Sequence, residues 1–389
     1  MAHGADERTG VDRLGVTAAI ASITAVGIAI GLSFPLFSFI LDQRGYSPFI
    51  IGTNAAVAGL ASLLAVPPVT PLASRFGVTW VMVWSAIISA ISLLCFFLFD
   101  SIIAWFILRI TFHGPLTALF ILSETWINSA TPDRKRGLIL GIYATVLSAG
   151  FGIGPGILAL IGSDGGLPFY IGTAIILLSI IPLLIARSSE PKFEGHTRGG
   201  DFLRYIWMVP LATGAVFVFG AVEQSGLPLM PVYGARIGYS EQAVSLLLVA
   251  LAAGNMILQI PLGILSDRVS DRRYLLYGCA TVGLIGALTV PYAVAYPAAI
   301  ALVLFLWGGV ISGMYTVGLA HLGSRVKGAQ LADANAAFVF CYCLGMILGP
   351  QISSIAMEFF PPHGFIWAIA GYFMLFLLLS LFRSRYRQR

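Results

Sequence analysis

Ionisable residues interrupt two long apolar stretches of the chain. The stretch RITFHGPLTALFILSETWIN contains Arg109, His113 and Glu124, and the stretch FVFGAVEQSGLPLM contains Glu223 followed by Gln224. A charge inside an apolar helix is costly unless a partner, a cavity or a proton balances it. Residues of these types at such positions therefore indicate proton transfer or the binding of a polar solute.

Arg109 and His113 are four residues apart, so they share one face of a helix and form a basic stripe. Glu124 lies about 22 Å farther along the same helix and cannot pair with Arg109. We expect Glu124 to form a gate or a structural ion pair at the cytoplasmic end, with Arg75 or Arg136 as its partner. A role as a proton carrier is the alternative.

Glu223 is the stronger candidate for proton coupling. Desolvation favours the protonated form of a carboxylic acid and a nearby cation favours the ionised form, so movement of a cation or binding of a solute can load or release a proton. Glu223 and Arg109 are expected at comparable depth in the outer half of the membrane. The alternative for Glu223 is a protonated or locally hydrogen-bonded structural group.

The composition predicts the elements that carry these residues. The chain has 389 residues, of which 58% are hydrophobic and only 10% are charged, far below the roughly one quarter of a soluble domain. Apolar runs long enough to cross a ~30 Å hydrocarbon core predict an all-α integral membrane protein with twelve transmembrane helices. The predicted helices start near Leu14, Pro48, Val78, Ser101, Gly137, Leu167, Phe202, Glu241, Tyr274, Pro297, Leu331 and Gly364.

The basic residues predict the orientation. With both termini on one side, all but three of the 22 Lys and Arg residues fall on that side; Arg44 and Arg236 lie opposite, and Arg109 lies inside the membrane. Both termini are therefore expected in the cytoplasm. The net charge of +5 then reflects topology and contact with the lipid bilayer, and no nucleic-acid partner is expected. We expect a multi-pass protein of the bacterial cytoplasmic (inner) membrane.

The two halves of the chain repeat each other. PLASRFGVTWVM after the second span resembles PLGILSDRVSDRRYLL after the eighth, and GFGIGPGI in the fifth span resembles GMILGPQI in the eleventh. A polar linker separates the halves, which predicts six-helix bundles at residues 1–186 and 205–389 joined by residues 187–204. Two pseudo-symmetric bundles are typical of carriers that rock around a central site.

With its two repeated halves and the linker between them, the chain resembles the major facilitator superfamily. The family signature after the second span is Gly-x-Leu-x-Asp-Arg-x-Gly-Arg-Arg, and the second half keeps Gly263, Leu265, Asp267, Arg268 and Arg272 of it. The first half matches less well, with Arg75 present and Ser74 in place of the aspartate. The resemblance implies a cytoplasmic latch of ion pairs that forms in one transport state and breaks in the other.

The fifth span resembles the helix-five motif of drug antiporters. Gly141, Gly150, Gly154 and Pro155 fit its first four fixed positions, whereas Leu158 and Ala159 replace its last two glycines. Glycines at this spacing allow close helix packing and the proline bends the helix. The resemblance implies antiport, with a purely structural hinge as the alternative.

The resemblance also implies that the first, fourth, seventh and tenth helices line one cavity, which would bring Arg109, His113 and Glu223 together. Many proton-coupled members carry Arg-x-x-Gln-Gly in the fourth helix, where this chain has Arg109, His113 and Gly114 in a shifted register. Further polar and aromatic residues are expected in the cavity wall: Phe34, Tyr143, Tyr315, Asn335, Phe338 and Tyr342.

These features predict a proton-coupled secondary transporter of a small organic solute that acts by alternating access, as an efflux antiporter. The alternative is a proton symporter that imports an anionic or zwitterionic metabolite, and a non-transporting membrane receptor is a third hypothesis. The sequence contains no phosphate-binding Gly-Lys-Ser/Thr loop and no metal-ligand cluster, so neither an enzyme nor a cofactor is expected. We expect a monomer driven by the proton gradient.

Overall fold

The computed structural model describes residues 12–191, 203–326 and 330–386, with the backbone alone described at 133–137, 267, 331–332 and 382–386. Within these ranges the regular structure is helical. The helices are α1 (Arg13–Gln43), α2 (Pro48–Phe76), α3 (Val78–Leu98), α4 (Ile102–Ser129), α5 (Asp133–Ile161), α6 (Leu167–Leu178), α7 (Ile180–Ile185), α8 (Leu203–Met208), α9 (Pro210–Arg236), α10 (Glu241–Arg268), α11 (Arg272–Ala293), α12 (Pro297–Arg325), α13 (Gln330–Phe359) and α14 (Gly364–Tyr386). A short 3₁₀ helix, Ala186–Ser189, follows α7.

The predicted twelve membrane spans are confirmed. The described residues contain 12 helical segments that are long and apolar enough to cross a membrane, the sixth of them running from Leu167 to Ser189. One predicted boundary was wrong, because the span expected to begin near Phe202 is divided into α8 and α9 at Val209. Pro210 has no backbone N–H and disfavours helical geometry at the residue before it, which accounts for the break.

The chain divides into two compact units, and α1, α2, α5 and α6 cross the division between them, α6 after its first two residues. Among the described residues, the first unit consists of 12–30, 64–150 and 169–191, and the second consists of 31–63, 151–168, 203–326 and 330–386. The division of the sequence at the linker, residues 187–204, stays a prediction; residues 192–202 of this linker lie outside the described ranges.

Polar side chains and close helix approach hold the elements of the first unit together. Between α3 and α4, Ser89 Oγ donates a hydrogen bond to the Phe112 carbonyl at 3.2 Å, and Ser92 Oγ donates one to Thr111 Oγ1 at 2.9 Å. Trp105 packs edge-on against an aromatic ring of α3 in the same interface. Such hydrogen bonds stabilise helix pairs where the surroundings are apolar. They fix α4, which carries Arg109, against α3.

In the second unit, α9 and α13 approach each other closely through small residues. A Cβ atom added to Gly349 would collide with the backbone of Ala221, and one added to Gly220 would lie 2.5 Å from the carbonyl oxygen of Tyr342. A side chain at either position would therefore push the two helices apart. This tight contact determines how the side chains of α9 face those of α13.

Candidate functional site

A carboxylate with an aromatic surround lies between α9 and α13. Tyr342 Oη donates a hydrogen bond to Glu223 Oε2 at 2.8 Å. The Tyr342 ring stacks on Phe219 with centroids 5.8 Å apart, and Tyr315 of α12 lies 5.3 Å from Phe219 and 5.5 Å from Phe338. The Glu223 residue is half-buried, and the phenol of Tyr342 holds its carboxylate. We call these five residues the Glu223 cluster.

The turn of α9 that follows Glu223 is anchored by a chain of hydroxyl groups. Ser225 Oγ donates to the Ala221 carbonyl at 2.6 Å, Ser353 Oγ donates to Ser225 Oγ at 3.1 Å, and Tyr372 Oη lies 3.0 Å from Ser353 Oγ.

Gln224, which follows Glu223 in α9, is buried, and its Nε2 has no hydrogen-bond partner among the described residues. A buried amide of this kind is costly to leave unsatisfied, so it is suited to bind a polar atom of a ligand.

The predicted basic pair lies in α4 of the first unit. Arg109 is 1% exposed and His113 is 4% exposed, so both are buried. The His113 ring meets Phe112 edge-on at 4.9 Å. Arg109 and His113 are four residues apart in α4 and both buried, so they lie on the same face of this helix. Their expected meeting with Glu223, which belongs to the second unit, stays a prediction.

Glu124 lies near the end of α4 and is exposed. Its neighbour Ser123 is fixed, because Ser123 Oγ lies 2.9 Å from the hydroxyl of the buried Tyr143 of α5. The guanidinium of Arg75 lies 5.2 Å from the centre of the Phe76 ring. The side chain of Arg136 lies outside the described part of the chain, so the expected ion pairs of Glu124 with Arg75 and Arg136 remain predictions.

Carboxylates occupy the starts of α3 and α11, the helices that follow the two signature loops. Glu190 accepts a hydrogen bond from the Thr79 backbone N–H at 3.0 Å, and Asp271 accepts one from the Arg273 N–H at 3.0 Å. A carboxylate at a helix N-terminus accepts a hydrogen bond from a free backbone N–H and interacts favourably with the positive end of the helix dipole. Sequence reasoning missed Glu190 and did not predict a role for Asp271.

The other residues of the second signature loop are placed as follows. Arg272 Nε donates a hydrogen bond to Ser266 Oγ at 3.2 Å, and Arg268 is exposed. Asp271 also pairs with the Arg273 guanidinium at 2.7 Å. The side chain of Asp267 is outside the described residues. The latch that the signature implies is therefore still an expectation.

A second polar cluster joins α1, the end of α5 and α10 within the second unit. Glu241, the first residue of α10, accepts hydrogen bonds from Ser163 Oγ at 2.9 Å and from Gln43 Nε2 at 2.5 Å. Nearby, Glu358 of α13 accepts a bond from the Phe49 N–H at 3.0 Å. By the predicted orientation this is the outer end of the helices, and we call Gln43, Ser163 and Glu241 the outer cluster. The acidic start of a predicted span was the only sequence signal for it.

The remaining predicted residues have varied environments. Phe34 and Phe338 are buried, Tyr315 is half-buried and Asn335 is exposed. In α5, a Cβ atom on Gly150 would collide with Gly27 of α1 and one on Gly154 with Gly31 and Leu32, whereas Gly141 has open space and Pro155 is buried inside the helix. The two central glycines of the motif therefore allow α1 and α5 to pack closely.

Comparison with known proteins identifies the family. The model of the Major Facilitator Superfamily matches residues 19–350 and, in a second match, residues 213–389. The chain belongs to the Major Facilitator Superfamily. This confirms the superfamily that the sequence motifs indicated, and the match to the drug-antiporter subgroup stays a prediction.

Relatives and solved structures agree with this assignment. The chain is 28% identical over 345 residues to YfkF of Bacillus subtilis (strain 168), named an uncharacterized MFS-type transporter, with 87% of each chain covered. It is 25% identical over 281 residues to the uncharacterized MFS-type transporter YcaD of Shigella flexneri, with 72% of each covered. These names describe transporters and indicate no catalytic activity.

The fold matches that of solved transporters. The nucleoside transporter NupG superposes with a TM-score of 0.74 at 14% identity, with 95% of this chain and 98% of that chain covered. A bacterial homolog of the lysosomal transporter Spinster, in an inward-facing and unoccupied conformation, gives 0.72 at 16% identity, with 95% and 96% covered. At such identities the likeness shows the fold alone. The predicted twelve-helix architecture is thereby confirmed.

Proposed function

We propose that this protein is a proton-coupled secondary transporter that exports a small organic solute in exchange for protons. The observation that carries the proposal is the Glu223 cluster, in which a half-buried glutamate inside a membrane-spanning helix accepts a hydrogen bond from Tyr342 at 2.8 Å. Ionisable residues in transmembrane helices are expensive and mark ion or substrate pathways. A protonatable group of this kind is the minimum that proton coupling requires.

The cluster has the two opposing influences that proton exchange needs. The apolar and aromatic surround disfavours the ionised carboxylate, whereas the hydrogen bond donated by Tyr342 stabilises it. A solute that displaced the Tyr342 hydroxyl or approached Glu223 would change this balance and so release or take up a proton. The rings of Phe219 and Tyr315 offer an apolar wall to such a solute, and the amide of Gln224 offers a polar contact.

The outer cluster supplies the kind of contact that alternating access must break. Gln43 and Ser163 come from the first half of the sequence and Glu241 from the second, and hydrogen bonds join them. Opening at the outer end requires these bonds to separate. Because Glu241 accepts several bonds at once, the cluster is suited to hold one state until the solute or proton shifts the equilibrium.

The proposed direction of solute transport is based on the glycines of α5. Gly150 and Gly154, which fit the antiporter motif, pack against α1 so closely that no side chain would fit. We accordingly favour antiport in the cytoplasmic membrane, driven by the proton gradient and performed by a monomer.

Reconstitution in proteoliposomes tests the proton coupling. A thermal-shift screen of metabolites and drugs first identifies a solute, because a bound ligand stabilises the folded state by mass action. Adding that solute to vesicles that contain a pH-sensitive dye should move protons against the direction of solute flow. Glu223→Gln should abolish this proton movement, and Asp164→Asn, a change of an exposed loop carboxylate, should preserve it. Equal proton movement in Glu223→Gln and the wild type would refute the assignment.

A second candidate function is proton symport that imports an anionic or zwitterionic solute. It is favoured by the buried guanidinium of Arg109 beside His113, since a buried cation suits a carboxylate or phosphate. Arg109→Gln should then lose binding of the solute that the screen identifies, and protons should move in the same direction as the solute. Deletion of the protein would starve cells of the compound, whereas loss of an exporter would make cells accumulate it.

A further inference from the structure

A cavity of about 1040 Å³ lies within the second unit, among α8, α9 and α11 to α14. It is as large as the sites that hold drug-sized ligands, roughly 300 to 1,000 Å³. It is separate from the Glu223 cluster, because none of that cluster's five residues lines it. In the predicted orientation it starts at the cytoplasmic ends of α11 and α12, where Arg273 and Arg325 line it, and extends along α9 as far as Val218.

One end of the cavity is cationic. Arg273, Arg325 and His321 line it, and the described lining contains no Asp or Glu. Arg272 and Asp271 are also close enough to act electrostatically on His321. Since Asp271 pairs with Arg273, the positive charge of Arg325 is the least compensated in the lining.

The rest of the cavity lining is mostly apolar. Its floor contains the buried residues Val218 and Phe376. Its rim contains Trp207, 75% exposed, and Leu379, 62% exposed. Large apolar side chains exposed on a membrane helix are suited to contact lipid, and tryptophan is enriched where the hydrocarbon meets the headgroups. The exposed rim of the cavity therefore offers a surface to lipid acyl chains.

We propose that this groove binds an anionic phospholipid of the inner leaflet. The phosphate lies between Arg273 and Arg325, and an acyl chain lies along the apolar floor beside Phe376. Basic pockets between membrane helices on the cytoplasmic side are suited to lipid phosphates, and each arginine near the surface contributes to the attraction. A cationic end joined to an apolar trough matches an amphiphile, whereas a free phosphate would use only the arginines.

Native mass spectrometry of the purified full chain tests the proposal. The protein is exchanged into micelles that contain equal amounts of phosphatidylglycerol and phosphatidylethanolamine, and the retained lipids are counted. The wild type should retain phosphatidylglycerol preferentially. Arg325→Gln should lower that preference roughly fivefold, while Arg187→Gln, which removes an arginine that lies over Trp80 in the first unit, should not.

A second variant tests the apolar trough without changing charge. Gly214 lines the cavity, and a Cβ atom there would meet only the Phe376 ring, at 3.6 Å. Gly214→Leu should therefore fill the trough and reduce retention of phosphatidylglycerol, while Gly371→Leu, on the exposed side of α14, should not. If Gly214→Leu does not fold, the exposed Arg325 variant still decides the question.

Inorganic phosphate and glycerol phosphate provide the third arm. Neither should displace phosphatidylglycerol at millimolar concentration, because neither occupies the trough. Displacement by phosphate would show a simple anion site, and displacement by the transported solute would show a substrate entry path. A dimer that excludes lipid would show that a second copy covers the groove. Each of these results would overturn the proposal, as would equal retention of the two lipids.

Discussion

Tyr342 both donates a hydrogen bond to Glu223, at 2.8 Å, and stacks on Phe219, with 5.8 Å between the ring centroids. One side chain of α13 therefore controls the carboxylate of α9 and part of its aromatic surround. Close packing of Gly345 and Gly349 against α9 keeps this geometry from relaxing. A small shift of α13 would break the bond to Glu223 and move the ring that a solute would contact.

Tyr342→Phe should raise the pH at which transport is half-maximal by about one to two units. The substitution keeps the ring that stacks on Phe219 and removes only the hydroxyl. A hydrogen bond to a charged group contributes ~1.5–3 kcal/mol, and one pH unit corresponds to about 1.4 kcal/mol. Without the bond the ionised carboxylate is less stable, so proton release needs a higher pH. The measurement is the pH profile of solute-driven proton movement in proteoliposomes.

Tyr233→Phe is the matched control for that experiment. Tyr233 is also a buried tyrosine of the second unit, and its hydroxyl lies 3.0 Å from His363 Nδ1, outside the Glu223 cluster and the hydroxyl chain next to it. Its loss should leave the pH midpoint unchanged. If both variants shift the profile equally, the effect belongs to packing and the role of Tyr342 in proton coupling is wrong.

Much of the fold could be predicted because the signals for it are local. Apolar length predicts a span, and the starts expected near Pro48, Val78, Leu167, Glu241 and Pro297 coincide with helix starts in the structure. The break at Val209 was missed because the apolar run continues through it, although Pro210 was a visible signal. The shared environment of Arg109 and His113 followed from their spacing alone.

The contacts of the candidate site were less predictable, because they join distant parts of the chain. Glu190 reaches the start of α3 across 111 residues, and Glu241 meets Gln43 across 198 residues. Glu223 and Tyr342 were both noticed, the first as a carboxylate and the second as an aromatic wall. Their pairing depends on how α9 packs on α13, which composition and periodicity do not determine.

Two glycines of α5 fit the antiporter motif but differ in packing, so substituting each of them tests whether close packing explains the need for glycine. Gly154→Ala should destabilise the protein and reduce transport, because the new methyl group would collide with the backbone of Gly31 and Leu32. Gly141→Ala should be neutral or stabilising by up to ~1 kcal/mol, because the position is open and alanine favours the helix. Thermal unfolding in detergent and solute uptake measure the two effects. Loss of transport in Gly141→Ala with unchanged stability would instead assign that glycine a role in the conformational change.

The outer cluster predicts a change in accessibility. Glu241→Ala should remove the acceptor shared by Gln43 and Ser163 and make outward opening more frequent. A typical hydrogen bond contributes ~1 kcal/mol, so losing these two bonds should raise the open population at least roughly fivefold, and about thirtyfold if their contributions add. Labelling of Ser38→Cys by an impermeant maleimide measures this, since Ser38 is buried on α1 below Gln43.

The control for this labelling is Asp164→Asn, which changes an exposed carboxylate next to Ser163. It should label at the rate of the Ser38→Cys parent. A protein that carries only the four native cysteines should label little, because three of them are buried and Cys95 is half-buried. Unchanged labelling in Glu241→Ala would mean that the cluster does not hold the outer end closed.

The pairing of Asp271 with Arg273 at the start of α11 should make the stability of the protein depend on pH. Its hydrogen bond from the Arg273 guanidinium holds the pKa of the Asp271 carboxyl below its usual value. The stabilisation is therefore complete above the ordinary pKa of aspartate and is lost as the pH falls through the lowered pKa.

Asp271→Ala should destabilise the protein by about 1 kcal/mol at neutral pH, because α11 also loses its N-terminal cap. Asp271→Asn keeps a capping acceptor and should be nearly as stable as the wild type at neutral pH, without this contribution to the acid dependence. Thermal unfolding from pH 7 to pH 3 measures all three proteins, and an asparagine variant as unstable as the alanine variant would show that the Arg273 pair, and not the cap, stabilises the start of α11.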